Sequence, residues 1–137
     1  MSNILLLYST VDGHTLRICG RIQQTAEHAG HTVTLTELGP HLDIDLAPFD
    51  QIVIGASIRY GRHRPYVIEF LRGRREVLER KRCAFFTVNI VARKPQKNAP
   101  DTNPYMKKIL RQIGWRPALL GVFAGKLDYP RYTFWDR

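Results

Sequence analysis

The strongest constraint in this sequence is a series of short, unbroken apolar runs, spaced along the chain and separated by turn chemistry and helix-period patterns. Ile4-Leu5-Leu6-Leu7-Tyr8, Gln51-Ile52-Val53-Ile54-Gly55-Ala56 and Cys83-Ala84-Phe85-Phe86-Thr87-Val88 have strand length and no polar alternation. Such runs fit strands buried on both faces. Ala118-Leu119-Leu120-Gly121-Val122-Phe123-Ala124 reads as a fifth strand. Thr32-Val33-Thr34-Leu35-Thr36 alternates and is rich in β-branched residues, so it too reads as a strand.

Between these runs the period changes. From about residue 15 to 29, Ile18, Cys19, Ile22, Ala26 and Ala29 fall on one helical face, with Gly30 just past the end. The stretch from 38 to 49 contains two prolines, Pro40 and Pro48, and reads as loop with one short helical turn. Pro65 suits a first helical turn, followed by the stripe Val67, Phe70, Leu71 and, less regularly, Leu78. Residues 92–102 carry two prolines and read as loop. Asn103-Pro104 is a cap followed by proline at the first helical position, and Tyr105, Ile109, Leu110 and Ile113 form that helix's apolar face up to Gly114.

Strands alternating with helices predict an α/β domain with a parallel sheet covered on both faces. The 137 residues, 44% hydrophobic and 24% charged, suit one domain with one core, 1–137, and argue against disorder. No run approaches the roughly 20 apolar residues of a membrane span. The first residues lack the basic leader of a signal peptide. Cys19 and Cys83 have no CxxC spacing and fall on core positions, so neither a disulfide framework nor a metal site is expected, and a reducing, cytosolic compartment fits. A last helix should follow the fifth strand, and the sequence stops at Arg137 without one.

The formal net charge of +9 is unevenly placed. Residues 1–58 hold two basic and six acidic side chains, whereas residues 59–116 hold sixteen basic and four acidic ones. A positive face aimed at something anionic follows: nucleic acid, anionic lipid or a small anionic substrate. Composition does not choose among them.

The first βα loop is the best local signal for chemistry. Ser9, Thr10, Gly13 and Thr15 follow a buried strand and open a helix, where free N–H groups and the helix dipole favour a phosphate. Neither GxxxxGK[ST] nor GxGxxG is present. The plainer alternative is a βα turn with a hydroxyl cap. In open α/β sheets ligands bind beyond the carboxyl ends of the strands, and the loops 56–61, 89–94 and 125–129 arrive there. Tyr60 suits stacking on a flat ring, or packing of its own loop. Arg59, Arg93 and Lys94 suit an anion, or a solvated rim. His14 suits donation to a phosphate, or a capping role. His28, His31, His41 and His63 show no ligand spacing. No nucleophile–base pair stands out, so a borrowed cofactor is the more plausible source of chemistry.

The strand, Ser9-Thr10-Val11-Asp12-Gly13-His14-Thr15 and the following helix resemble the FMN phosphate loop of flavodoxins. The order of elements resembles their doubly wound five-stranded parallel sheet, order 2-1-3-4-5. Val53-Ile54-Gly55-Ala56-Ser57-Ile58-Arg59-Tyr60-Gly61, Val88-Asn89-Ile90-Val91-Ala92-Arg93-Lys94-Pro95, Trp115-Arg116-Pro117, Tyr129-Pro130-Arg131-Tyr132 and Trp135-Asp136-Arg137 resemble the bacterial menaquinone-dependent protoporphyrinogen oxidases. These are the flavodoxin-like, quinone-coupled type of protoporphyrinogen IX dehydrogenase.

The resemblance implies an FMN oxidoreductase of haem biosynthesis that takes six electrons from protoporphyrinogen IX, two at a time, and passes them to a membrane quinone. Ser9, Thr10, Asp12, Gly13, His14 and Thr15 would surround the phosphate. Ala56, Ser57, Ile58, Arg59, Tyr60 and Gly61 would lie beside the isoalloxazine, and Asn89, Ile90, Val91, Ala92 and Arg93 would form the second flavin-side loop. Two departures stand out. Val11-Asp12 precedes Gly13 where simple flavodoxins have Thr-Gly, and the family's basic, membrane-associating insertion and last helix do not follow Tyr132. Arg59, Arg62, Arg64, Arg93 and Lys94, nearest the expected flavin edge, would receive the substrate's propionates. Arg72, Arg74, Arg75, Arg80, Lys81 and Arg82 would form a solvated or membrane-facing rim on the cytoplasmic face of the inner membrane. An electron-transfer flavodoxin, or an NAD(P)H:quinone reductase-like flavoprotein without a porphyrin substrate, is the alternative; +9 counts against the acidic flavodoxin surface. A nucleic-acid partner is disfavoured, because the basic run from 72 to 82 contains no aromatic residue.

Overall fold

The computed structural model describes residues 2–9, 14–40, 42–58, 62–89, 92 and 94–123. Five parallel strands form one sheet: β1 (Asn3–Ser9), β2 (Thr32–Glu37), β3 (Gln51–Ser57), β4 (Arg82–Val88) and β5 (Leu119–Phe123), in the order β2-β1-β3-β4-β5. The flavodoxin-like strand order expected from the resemblance is the observed one. The helices are α1 (His14–His28), α2 (Pro65–Gly73), α3 (Arg75–Arg80) and α4 (Pro104–Ile113), with a short 3-10 turn at Pro95–Lys97.

The period-2 geometry of the strands divides the core into two layers. Leu5, Leu7, Ile52, Ile54, Cys83 and Phe85 face one way and pack on Val67, Phe70, Leu71, Leu78, Met106 and Ile109 from α2, α3 and α4, and on Trp115 just past α4. Ile4, Leu6, Val53, Ala84 and Phe86 face the other way, onto Ile18, Cys19, Ile22 and Ala26 of α1. The unbroken apolar runs β1, β3 and β4 are therefore central strands filled from both sides. Strand β2 lies at the sheet's edge, which explains its alternation: Thr32 and Thr34 are exposed, and Val33 and Leu35 pack toward α1.

Three local expectations need correction. The stripe through Val67, Phe70, Leu71 and Leu78 is carried by two helices, not one. Arg74 leaves helical geometry (φ −109°, ψ 17°) after Gly73, and the Leu71 carbonyl takes its hydrogen bond from Trp115 Nε1 at 3.0 Å. The buried face of α4 is Met106, Ile109 and Ile113, with Tyr105 and Leu110 only half-buried at its margins; the i, i+3, i+7 stripe centres on Met106, an unbranched side chain that fills irregular space. The described residues between 38 and 49 contain turns but no helix. They are held by Leu38 and Leu46, both buried, and by Lys81 Nζ donating to Phe49 O at 2.7 Å.

The basic rim is also partly redirected. Arg74 donates to Ile44 O, pairs with Asp43 and lies over the Phe70 ring, Arg75 pairs with Glu79, and Lys81 ties to the 47–49 backbone. Arg72, Arg80 and Arg82 remain as exposed cations. Asn103 and Gly114 do at α4 what the sequence suggests. The Asn103 Oδ1 accepts from the Tyr105 and Met106 N–H groups, and Gly114 takes the left-handed conformation at φ 77°. No helix among the described residues is long and apolar enough to cross a membrane.

Candidate functional site

The crossover from β1 goes through α1 on one face, and the crossover from β3 goes through α2 and α3 on the other. The two strands are neighbours, with Ser9 opposite Ala56 at their carboxyl ends. Chains diverging to opposite faces from adjacent strands leave a crevice between them, the switch point where open α/β sheets bind ligands.

Ser9, Thr15, Ala56, Ser57, Asn89 and Ala92 are all brought to this end of the molecule and are all buried; Ile58 is half-buried beside them. His14 opens α1. Ile58 N–H donates to Val88 O at 3.2 Å, so β3 and β4 stay registered to their last residues. Arg62 and Lys94 are exposed, and Arg64 is half-buried. Thr10, Asp12, Gly13, Arg59, Tyr60, Gly61, Ile90, Val91 and Arg93 lie outside the described residues.

Three features of the site come into view only in the structure. First, Ser9 Oγ and Tyr66 Oη are hydrogen-bonded at 2.7 Å, which ties the end of β1 to the second residue of α2. The Arg64 guanidinium lies 5.6 Å from the centre of the Tyr66 ring, so one candidate anion-binding arginine is braced on the same side chain that holds Ser9.

Second, Thr15 is fully buried in the first turn of α1, and its Oγ1 has no hydrogen-bond partner among the described residues. A buried hydroxyl without a partner is costly. At a helix N-terminus it stands among N–H groups that α1 itself does not use. This donor set suits a phosphate.

Third, His63, Thr87, Asn89 and Asn103 form a buried polar chain behind the carboxyl end of β4. His63 Nε2 and Thr87 Oγ1 are 2.8 Å apart, and the imidazole meets Phe85 edge to face. Burial, aided by the positive charge of Lys108, pushes the His63 pKa down to about 3, so the ring is neutral near pH 7. Asn103 could be recognised in the sequence as a cap. Its partnership with Asn89, fourteen residues earlier, and the part played by His63 could not.

Cys19 and Cys83 are free, buried thiols whose pKa values burial raises to about 12, and this removes them as nucleophiles. Among the described residues no group of His, Cys, Asp or Glu is placed to hold a metal ion. The buried Thr15 hydroxyl and the α1 N-terminus offer a donor set for an anionic group.

Residues 5–137 match the family described as the flavodoxin domain. A protoporphyrinogen IX dehydrogenase (quinone) from Leishmania major is 42% identical over 134 residues, which is 97% of this chain and 58% of that protein. The protein of the same name from Escherichia coli K12 is 38% identical over 133 residues, 97% of this chain and 74% of its own length. Among solved structures, the two-electron reduced flavodoxin of Megasphaera elsdenii superposes with a TM-score of 0.70 at 15% identity, covering 91% of this chain and 88% of that one; at that identity the likeness concerns the fold.

Proposed function

This chain belongs to the flavodoxin domain family, and on that premise we propose that it is an FMN-dependent oxidoreductase that oxidises protoporphyrinogen IX to protoporphyrin IX and delivers the electrons to a quinone. The observation that carries this reading is the 38–42% identity, over 97% of the chain, with relatives named for that reaction.

The residues at the switch point fit the cofactor. The buried Thr15 hydroxyl and the α1 N-terminus would take the FMN phosphate, with Ser9 fixed beside them by Tyr66. The chains leaving β3 and β4, with Ser57, Ile58 and Asn89, would flank the isoalloxazine. When bound, FMN supplies the two-electron chemistry that the side chains lack. What the protein's own groups contribute is binding and exclusion of water. Arg62, Arg64 and Lys94, together with Arg59 and Arg93, would receive the propionates. Arginine suits this because its planar fork can hold a carboxylate by two hydrogen bonds. The exposed Arg72, Arg80 and Arg82 stand toward the amino end of β4, the far end of the sheet from the switch point, so they would form a solvated rim and not the surface that meets the quinone.

The test is reconstitution of the purified chain with FMN, followed by oxidation of protoporphyrinogen IX with a soluble quinone as acceptor. The expected result is a flavin absorbance spectrum and porphyrin fluorescence that develops only with both FMN and quinone. Flavin binding without porphyrinogen turnover would leave an electron carrier or quinone reductase. A colourless protein that takes up no FMN would overturn the reading.

A further inference from the structure

The polar chain behind β4 has more hydrogen bonds than capping requires. Asn103 is fully buried and uses its whole amide. Its Oδ1 accepts from Tyr105 N, Met106 N and Asn89 Nδ2, while its Nδ2 donates to Asn89 Oδ1 at 2.9 Å and to Lys97 O at 2.9 Å. Asn89 Oδ1 also accepts from Ala92 N, and Asn89 Nδ2 reaches Thr87 Oγ1 at 3.4 Å. Thr87 meets His63, which lies two residues before α2. The chain returning after β3 is thus joined, through side chains alone, to the chain leaving β4 and to the start of α4.

We propose that His63, Thr87, Asn89 and Asn103 are one positioning unit that fixes the spacing of the segments after β3 and β4, and through it the affinity and electronic environment of the flavin held between them. The proposal rests on the FMN reading and deepens it. Of the four, Asn89 alone stands beside the flavin; His63, Thr87 and Asn103 act through it. Only an amide of asparagine's length offers two donors and an acceptor at residue 103. An aspartate there would keep the cap and lose both donations, to Asn89 and to Lys97. A pure capping role and a positioning role are therefore separable by a single atom.

The experiment compares wild type, Asn103→Asp, His63→Gln, His63→Phe and the double variant His63→Phe/Asn103→Asp. The readouts are thermal unfolding of the FMN-free protein, the FMN dissociation constant from quenching of flavin fluorescence, and the visible spectrum of the bound flavin. Asn103→Asp turns a buried carboxylate toward Asn89 Oδ1 and Lys97 O, so it is expected to unfold well below wild type and, where it is folded, to bind FMN about tenfold or more weakly and to shift the bound flavin's absorbance. His63→Phe, which keeps the ring contact and loses the bond to Thr87, should move affinity and spectrum in the same direction. His63→Gln should restore both toward wild type. The double variant should be no worse than the product of the singles and short of it, as members of one unit behave.

The proposal is overturned if folded Asn103→Asp and His63→Phe bind FMN within twofold of wild type with an unchanged spectrum, or if their effects on affinity multiply in full. Should Asn103→Asp fail to fold, His63→Phe and its rescue by His63→Gln decide the matter alone. A wild-type chain that binds no FMN would overturn the underlying reading instead, and that failure is visible before any variant is made.

Discussion

The ring of Phe86 lies directly over Gly55, its partner in the β3–β4 register, where a Cβ built on the glycine would stand 2.1 Å from the ring's Cζ. Neither residue can adjust freely. Phe86 is fully buried and meets Phe123 edge to face at 5.3 Å. Gly55→Ala forces the ring off its place in a closed core, so it should destabilise the fold by about 1–3 kcal/mol. In a Phe86→Leu background the same substitution should cost less, since the obstructing ring is gone. Denaturant unfolding of the four proteins checks this; equal costs in both backgrounds would show that the contact is not the cause.

Trp115 is a second such joint. Its indole N–H donates to the carbonyl of Leu71, one of the groups left over where α2 ends before α3. Trp115→Phe keeps most of the apolar contact and leaves that carbonyl without its partner. The expected loss is about 1–2 kcal/mol, read as a lower denaturation midpoint at unchanged slope. A midpoint equal to wild type would mean that α2 closes its last turn without the tryptophan.

The fold could be read from the sequence more fully than the site. The apolar runs around Leu6, Ile54 and Phe85 are long enough to mean central strands, and the signals at Asn103-Pro104 and Gly114 are local, so each needs only its neighbours in sequence. Met106 escaped because a four-residue spacing from Tyr105 to Ile109 competes with the three-residue spacing from Met106, and only packing decides between them. Leu78 extends the apolar stripe in the sequence, but the helix breaks at Arg74, where the carbonyl of Leu71 takes its hydrogen bond from Trp115, forty-four residues further along. The same holds at the site. Thr15 and Ser9 lie in a recognisable loop, whereas Tyr66, His63 and the Asn89–Asn103 pair act through contacts that leave no period, spacing or motif.

His63 gives the fold a pH dependence whose sign follows from its burial. Its pKa is lowered from 6.5 to about 3 in the native state. Below about pH 6.5 the unfolded chain takes up a proton that the folded chain refuses until about pH 3. The stabilisation is therefore complete above pH 6.5 and is lost as pH falls through that window, by at most about 1.4 kcal/mol per pH unit. His63→Gln removes the titration and retains a partner for Thr87. The difference in unfolding free energy, wild type minus variant, should fall steadily from pH 6.5 to pH 4. A difference that stays flat over that range would mean that the imidazole becomes charged in the folded protein.

Thr15 makes the most discriminating prediction, because removing its hydroxyl should move two quantities in opposite directions. The Oγ1 is buried without a partner among the described residues, and valine has nearly the same shape and a similar helix propensity. In the FMN-free protein Thr15→Val replaces an unsatisfied polar atom with an apolar one, so stability should hold or rise by up to about 1 kcal/mol. If the hydroxyl serves the cofactor's phosphate, FMN binding should weaken about tenfold, while riboflavin, which has no phosphate, should bind as it does to wild type. Thermal unfolding and fluorescence titrations with both flavins read all three. Equal weakening for FMN and riboflavin would assign Thr15 to the general packing of α1 and remove it from the phosphate site.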